Sequence, residues 1–487
     1  MEETYKQLFI GGDLSGIQNF LYNISSKKAA VSLKGRSFYL QQYMENTCDA
    51  IEKAVKEAGA KATDIIYCSG GKFYMLTENS ESIQQSIADT TLQLRESLWK
   101  EHLGQLGLNV SFIPFSENPD KSVNVVGMTN QRIGVLWQIV NQGFARQKQQ
   151  KFKDILIDSY HDFFEPIPVG GNIHVCAITG IESEDCVKIS DDKESDMYVL
   201  PSVKQQILLG EELRNQQHFK TFENYAKNSK LGVLRMDLDN LGKRFITGFD
   251  SIEQYKAFSK RLVDFFEKEL TKIQQEPTFR NYLNIIYAGG DDLFVVGRWD
   301  KTIDFAEHVS KVFKSIFSDE NISLSGGVAV VYPKYPIAKA AEMAGNAEDE
   351  AKRYRNGEKN AFCFLGKVVS WNKEFDYVKS YQQQFVSLIS TYGLSKGVLH
   401  KLMLYSSIAD HNKLRKKEGK TEDFSYIWHI SYYLTRYINR YKDNKAVCAF
   451  CRQLRDHDID YHNGRQLELI ALAARWAELI LKDELNN

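Results

Sequence analysis

The segment NYLNIIYAGGDDLFVVG, residues 281–297, decides the fold. The apolar run LNIIY leads into Gly289, Gly290, Asp291 and Asp292, and a second apolar run, LFVV, follows them. Two β-rich runs joined by glycines are typical of a tight β-hairpin. We expect the two carboxylates to lie on an exposed, solvated turn and to attract a hard divalent cation that carries phosphates. A solvated acidic turn without a ligand is the alternative.

A second pair of carboxylates lies upstream, in LGVLRMDLDNLGKRF at residues 231–245. An apolar run ends there at Asp237, and strand alternation puts Asp239 on the same side of the chain. A strand ending in a carboxylate, then a helix, then an acidic hairpin is the order of a nucleotidyl-transfer palm, whose site gathers carboxylates around Mg²⁺. A helix, a strand and a second helix are predicted at residues 302–318, 322–332 and 336–356. The resulting β-α-β-β-α-β pattern is ferredoxin-like.

These motifs resemble the large subunit of type III CRISPR effector complexes, of the Csm type, whose second palm carries a GGDD hairpin. Further matches are GDLSGIQNFLY, SLSGGVAVVYPKYPI and EDEAKRYRNGEKNAF, at residues 12–22, 323–337 and 348–362. The resemblance extends to about residue 371, with a weaker helical match beyond it. GGDD alone would also suit diguanylate cyclases, which share the palm fold.

The first part of the chain, residues 1–157, repeats the palm plan in weakened form. LFIGGDLSGIQNF ends an apolar run at Asp13, as the later strand does at Asp237. This internal duplication predicts two ferredoxin-like palms, the second at residues 231–370. The fold class is therefore expected to be α+β.

The hairpin of the first copy has lost its carboxylates. DIIYCSGGKFYML, residues 64–76, aligns without gaps on NIIYAGGDDLFVV, so Ser69 and Gly70 match the two glycines. Gly71 and Lys72 stand in the place of the two aspartates. Because a lysine opposes a metal ion and suits a phosphate, we expect this palm to hold a nucleotide or to serve as a structural partner.

Basic residues outside the hairpins have two interpretations each. In related cyclase palms a lysine at the position of Lys352 contacts triphosphate, whereas a surface pair with Glu348 is the alternative. Two further groups of basic residues, a cluster after Asp13 and a run before residue 154, are expected to be solvated. For the cluster, contact with RNA or with a partner subunit is the alternative. These residues are Lys27, Lys28, Lys34 and Arg36, and the run RQKQQKFK at 146–153.

Two further regions complete the predicted organisation. Residues 158–230 resemble the small zinc ribbon of the family, but only Cys176 and Cys186 stand near it, with His174 as a third ligand. A structural zinc ion needs four ligands, so we predict a degenerate ribbon without metal. Residues 371–487 lose strand character, and their apolar spacing predicts a helical bundle.

Composition limits the class of protein. A chain of 487 residues suggests two to four domains, and a net charge of −1 offers no case of its own for a nucleic-acid surface. Seven scattered cysteines fit a reducing compartment better than a disulfide framework. The N-terminal residues lack a signal-peptide pattern, and no stretch of 18 apolar residues is present, so a cytoplasmic protein that does not use the membrane is expected.

The resemblance implies an ATP-using nucleotidyltransferase that makes cyclic oligoadenylate and is activated by target RNA paired to guide RNA. Its partners would be the other subunits of the effector ribonucleoprotein. Asp237 and Asp291 would hold Mg²⁺ or Mn²⁺, with Asp292 and Asp239 assisting. The alternatives are a free-standing nucleotidyl cyclase of the diguanylate type and a non-catalytic scaffold subunit.

Many family members carry an HD nuclease before the first palm. In this sequence the palm begins at once, and the histidines are dispersed, so we expect no DNA cleavage. The HD dipeptides His161-Asp162 and His457-Asp458 do not sit in a helical array of further histidines. A cryptic metal site that includes His462 is the alternative.

Overall fold

The computed structural model describes residues 5–25, 27–102, 104–158, 160, 173–189, 197–459 and 464–486. The predictions made for His161, Asp162 and His462 lie outside these residues. The described chain is a mixed α/β structure with two six-stranded sheets. Two short hairpins and a helical C-terminal region accompany them.

The first sheet has the strand order β2-β3-β1-β4-β5-β6. The central strand β1 is antiparallel to both β3 and β4, which is the ferredoxin-like arrangement. Its elements are β1 Gln7–Ser15, α1 Ile17–Tyr22, α2 Ala29–Glu57, β2 Thr63–Ser69, β3 Lys72–Glu78, α3 Glu81–His102, β4 Gly107–Glu117, β5 Val123–Val125, β6 Met128–Gln131, α4 Val135–Gln149 and α5 Lys153–Asp158.

The second sheet repeats this order as β12-β13-β11-β14-β15-β16, as the internal duplication predicts. A register irregularity recurs at the same place in both copies, between Ile65 and Tyr67 and between Ile285 and Tyr287. The elements are β11 Leu231–Asp239, α8 Leu241–Thr247, α9 Ile252–Asp264, a π-helical turn Phe265–Glu269, α10 Leu270–Gln275, β12 Leu283–Gly289, β13 Asp292–Arg298, α11 Trp299–Ile316, β14 Ser323–Val331, α12 Ile337–Lys352, α13 Tyr354–Gly357, β15 Ala361–Phe364 and β16 Lys367–Ser370.

The segment between the sheets contains two short hairpins and two helices. Cys176 and Cys186 are buried free thiols there, and the ring of His174 stacks on Tyr198 with centroids 3.5 Å apart. The elements are β7 His174–Val175, β8 Glu182–Ser183, β9 Val187–Ile189, β10 Met197–Val199, α6 Pro201–Gln217 and α7 Phe222–Ala226.

Helices fill the described residues beyond the second sheet. They are α14 Glu374–Ser390, α15 Gly397–Lys417, α16 Ser425–Arg440, α17 Lys445–Gln453, a π-helical turn Leu454–Asp458 and α18 Arg465–Asn486. Trp476 of α18 packs edge-on against Phe364 with ring centroids 5.2 Å apart, which joins this region to the edge of the second sheet. Within the described part of the chain, no helix has the length and apolar character needed to span a membrane.

The two palms share apolar packing. Trp137 of α4 stacks on Tyr255 of α9 with ring centroids 3.7 Å apart, and Tyr22 of α1 packs on Phe294 of β13 at 4.9 Å. Because such contacts bury large aromatic surfaces, they fix the two sheets against each other. The relative position of the palms is therefore set by core packing.

Two basic residues predicted to be solvated are withdrawn from solvent, Lys34 partly and Arg36 almost fully, so that prediction is wrong for them. Lys34 donates from Nζ to the main-chain oxygen of Ile285 at 2.7 Å, and burial lowers its pKa to about 8. Arg36 is 1 % exposed and donates to the carbonyl oxygens of Phe20 and Asn23. Both side chains tie α2 to neighbouring backbone.

Candidate active site

A cavity of about 1130 Å³ opens between the two palms. The first palm contributes the end of β1, helix α1, its hairpin turn and the end of α4. The second palm contributes β11, the acidic hairpin and helix α12. The charged side chains described below line this cavity: Asp13, Lys72, Lys148, Arg235, Asp237, Asp291, Asp292, Glu348 and Lys352.

The two hairpin turns face each other across the interface. Both use glycines at positive φ, +59° at Gly70 and +69° at Gly290. A Cβ on Gly70 would lie 2.2 Å from the Cα and N atoms of Gly290, so the backbones meet at a distance that only glycine permits. Each turn is also closed by the same bond, from Leu238 N to Asp291 O at 3.0 Å and from Leu14 N to Gly71 O at 2.8 Å.

Three carboxylates of the second palm converge on the cavity. Asp237 pairs in register with Asp292 across the β11–β13 ladder, and Asp291 precedes Asp292 on the turn. Burial and then repulsion by Asp292 and Asp291 raise the pKa of Asp237 to about 8. Burial and then repulsion by Asp291 and Glu348 raise the pKa of Asp292 to about 6. Full ionisation of the three carboxylates is therefore unfavourable unless a further cation is placed among them.

The prediction of an exposed, well solvated turn is wrong. Asp291 and Asp292 are half-buried, because the first palm covers the hairpin that an isolated palm would leave open to solvent. The carboxylates line the cavity, through which they contact solvent. Their charge is consequently less screened than on a free turn, and it acts more strongly on any cation placed there.

Lys352 lies at the end of α12 and contacts two carboxylates. Its Nζ is in an ion pair with Asp237 and in a second ion pair with Glu348 at 2.7 Å. Burial opposes its charge, but the two carboxylates together raise the pKa of Lys352. The pairing with Glu348 that one interpretation predicted is present, and contact of this lysine with triphosphate stays a prediction.

Asp239 does not join the cluster, which corrects the prediction that it assists with the metal. It is 0 % exposed and does not line the cavity. Its Oδ2 accepts hydrogen bonds from the hydroxyls of Ser323 at 2.6 Å and Ser325 at 2.8 Å, and from Asn360 N at 3.0 Å. Asp239 thus fastens β11 to β14 and to the loop before β15.

The first palm presents a related but more basic site. Asp13 stands opposite Lys72 in the β1–β3 register, as Asp237 stands opposite Asp292. Lys148, near the end of α4, pairs with Asp13 at 2.8 Å, in the same relation that Lys352 at the end of α12 has to Asp237. One carboxylate with two lysines suits phosphate oxygens and disfavours a metal ion.

The remaining predicted site residues lie at the hairpin contact and not in the cavity wall. They are Ser69, Gly289 and Gly290. Sequence reasoning missed Lys148 and also Arg235, which is the second partner of Glu348. Lys148 lay in the basic run that was expected to be a solvated helix face, although its position near the end of α4 matches Lys352.

The acidic cluster fits a divalent cation that is completed by substrate. Among the residues that the structure describes, no three His, Cys, Asp or Glu side chains are gathered as a ready-made metal centre. Mg²⁺ is usually held by one or two carboxylates together with substrate phosphates and water, and not by a closed protein cage. Asp237, Asp291 and Asp292, which lie together at the cavity wall, match that requirement.

The geometry on its own defines a class of protein. This is a two-palm protein, in which two ferredoxin-like palms face each other, one with an acidic hairpin and one with a basic hairpin. The family profile described as Csm1 subunit domain B matches residues 6–166. The profile described as Cas10/Cmr2, second palm domain, matches residues 230–363. The chain belongs to the Cas10/Csm1 family of large subunits from type III CRISPR systems.

Named relatives have the same family assignment. The protein of Enterococcus italicus described as CRISPR system single-strand-specific deoxyribonuclease Cas10/Csm1 (subtype III-A) is 28 % identical over 431 residues, covering 75 % of this chain and 55 % of the relative. The protein of Mycobacterium tuberculosis with the same description is 24 % identical over 431 residues, covering 70 % of this chain and 52 % of the relative. The chain thus spans about half the length of the curated relatives it matches.

Solved structures share the fold over almost the whole chain. The Csm1–Csm4 cassette in complex with one ATP superposes with a TM-score of 0.65 at 17 % identity, covering 97 % of this chain and 70 % of that one. The cassette in complex with cA4 gives a TM-score of 0.62 at 17 % identity, with the same coverage. The arrangement of two palms is therefore that of Csm1.

Proposed function

We propose that this chain is a nucleotidyltransferase of a type III effector complex, which converts ATP to cyclic oligoadenylate when target RNA pairs with the guide RNA. The observation that carries the proposal is the cavity in which the carboxylates of one palm face the lysines of the other. Each palm offers one set of charges at the same place in its fold, so two nucleotides fit across the interface. The similar Csm1–Csm4 cassettes in complex with ATP, cA4 and cA3 support this substrate and product class.

The second palm would hold the nucleotide whose α-phosphate is attacked. Asp237, Asp291 and Asp292 would bind Mg²⁺ or Mn²⁺, which when bound neutralises phosphate charge and lowers the barrier to in-line displacement. The ammonium of Lys352 lies beside Asp237, where it balances negative charge on the phosphates. Gly289 and Gly290 keep the turn free of side chains.

The first palm would hold the nucleotide that supplies the 3′-hydroxyl. Lys72 and Lys148 face the cavity and would bind its phosphates, while Asp13 keeps Lys148 in place. The new bond joins the 3′-oxygen to the α-phosphorus, and the bond to the β-phosphate breaks with release of pyrophosphate. Repetition of this step, followed by ring closure, gives a cyclic product.

Other subunits and RNA are proposed as the regulatory partners. One similar structure is described as the Csm1–Csm4 subcomplex in the type III-A CRISPR–Csm interference complex. A net charge of −1 leaves this chain without an overall basic character, so partner subunits would supply most of the RNA-binding surface.

The decisive experiment compares the isolated chain with the assembled complex. Each is incubated with ATP and Mg²⁺, with and without matching target RNA, and the products are analysed by mass spectrometry. We expect cyclic oligoadenylate only from the complex with target RNA. Product from the isolated chain without RNA would identify a free-standing cyclase, and no product from any sample would indicate a scaffold.

Removal of the lysines of the first palm should weaken nucleotide binding. Lys72→Ala and Lys148→Ala are each expected to reduce affinity for a non-hydrolysable ATP analogue by about 0.5–2 kcal/mol, because each removes one half-exposed phosphate-facing charge. Isothermal titration calorimetry measures the affinity and the number of sites. Lys53→Ala, an exposed lysine on α2 that pairs with Glu57, is the matched control and should bind normally. Unchanged binding in both test variants would mean that these lysines are merely surface residues.

A further inference from the structure

Glu348 is a buried carboxylate at the wall of a cavity that is proposed to bind phosphates. It lies on α12 one turn before Lys352 and is 4 % exposed. One oxygen faces the ammonium of Lys352 at 2.7 Å, and the other faces Nε of Arg235 at 3.3 Å. A buried carboxylate next to phosphates is unfavourable unless cations neutralise it, and here two cations share it.

Several neighbouring residues hold the side chain of Arg235 next to Glu348. It lies on β11 two residues before Asp237, so both side chains project from the same face of the strand. A Cβ on Gly345 would lie 2.6 Å from Nη1 of Arg235, so glycine leaves room for the guanidinium. The ring of Tyr22, from the first palm, lies 5.8 Å from the guanidinium carbon. The arginine therefore stands where the two palms meet.

We propose that Glu348 is a positioning residue that holds Lys352 and Arg235 at the phosphate-facing wall of the cavity. The inference rests on the proposed function and adds a residue to it. Without the negative charge of Glu348, Lys352 keeps Asp237 as its one carboxylate partner and competes there with the divalent cation. Because Lys352 pairs with Glu348 as well as with Asp237, it neutralises Asp237 less completely. Asp237 therefore keeps negative charge with which to bind the cation.

The substitution Glu348→Gln separates positioning from simple binding, because glutamine keeps the size and one acceptor but loses the charge. In the assembled, target-activated complex we expect turnover to fall about 30-fold, while affinity for a non-hydrolysable ATP analogue stays within about threefold. The Mg²⁺ concentration that half-saturates analogue binding should rise about tenfold. Glu350→Gln removes the same charge from an exposed position on α12 and should leave all three quantities unchanged.

A double-mutant cycle tests whether Glu348 acts through Lys352. Lys352→Met alone should be more severe than Glu348→Gln, and the double variant should be no worse than Lys352→Met. The inference would be overturned if the losses of turnover in the two single variants added up in the double variant. It would also be overturned if Glu348→Gln lowered analogue affinity and melting temperature along with turnover. The Mg²⁺ dependence of analogue binding is measured without turnover. A complex that makes no product therefore contradicts the proposed function, while an unshifted Mg²⁺ dependence contradicts the positioning role.

Discussion

Replacement of Asp291 and Asp292 together by asparagine is expected to lower product formation by at least about 10³-fold, because the pair would no longer hold the charge that stabilises the transferring phosphate. Asparagine has the shape of aspartate, so the hairpin and the bond from Leu238 N to Asp291 O should persist. The measurement is the initial rate of cyclic oligoadenylate formation by the target-activated complex, with mass spectrometry as the readout.

Folding of this double variant should be unimpaired. The two carboxylates repel each other and Asp237, so their neutralisation removes an unfavourable term, and the melting temperature should be equal to or higher than that of the parent. Asp264→Asn, which removes an exposed carboxylate paired with Lys268, is the control and should retain full activity. Synthesis at the parental rate in the Asp291/Asp292 variant would refute the catalytic assignment.

The central hairpin of each palm was accessible from the sequence because local pattern determines it. LNIIY and LFVV are apolar runs on either side of a glycine turn, and no other pairing satisfies so short a connection. The gap-free match of residues 64–76 to residues 284–296 then transfers the same hairpin to the first palm. Both hairpins form as predicted, whereas the register irregularity that recurs in both was not predicted from the sequence.

The burial of the acidic hairpin was not accessible, because it depends on how two domains pack. A single palm would leave the turn exposed, and packing between the palms, which includes the Trp137–Tyr255 and Tyr22–Phe294 contacts, brings the other palm over it. The same packing buries Lys34 against Ile285, which a pattern based on charge spacing describes as a solvated helix start.

Strand alternation was also an incomplete guide to the site. It places Asp237 and Asp239 on one side of β11, but the register of β14 puts Ser323 opposite Asp239 and gives that carboxylate hydroxyl partners. The role of Lys148, by contrast, could have been inferred by comparing the two palms. Helix α4 contacts β1 and β4 as α12 contacts β11 and β14, and both helices have near their ends a basic residue that pairs with the strand aspartate, Lys148 with Asp13 and Lys352 with Asp237.

The hairpin contact between the palms leads to the second large effect. Gly70→Ala is expected to reduce product formation about 10²-fold, because its Cβ would lie 2.2 Å from the backbone of Gly290, and backbone atoms cannot rotate away as a side chain does. The two turns would have to separate, and a shift of about 1 Å between reacting groups is enough to cause a loss of that size. The rate is measured in the target-activated complex.

A control variant is needed to distinguish the effect of the steric clash from the effect of placing alanine at a positive φ. Gly127 has φ +77° in the turn between β5 and β6, where a Cβ would meet nothing within 4 Å, so Gly127→Ala carries the strain without the clash. Both variants should lose about 1–2 kcal/mol of stability from the left-handed conformation, but Gly70→Ala alone should lose activity as well. Equal activity in the two variants would show that the separation of the hairpins is not critical. Loss of activity confined to Gly70→Ala would show that catalysis requires both palms to be held in contact at these glycines.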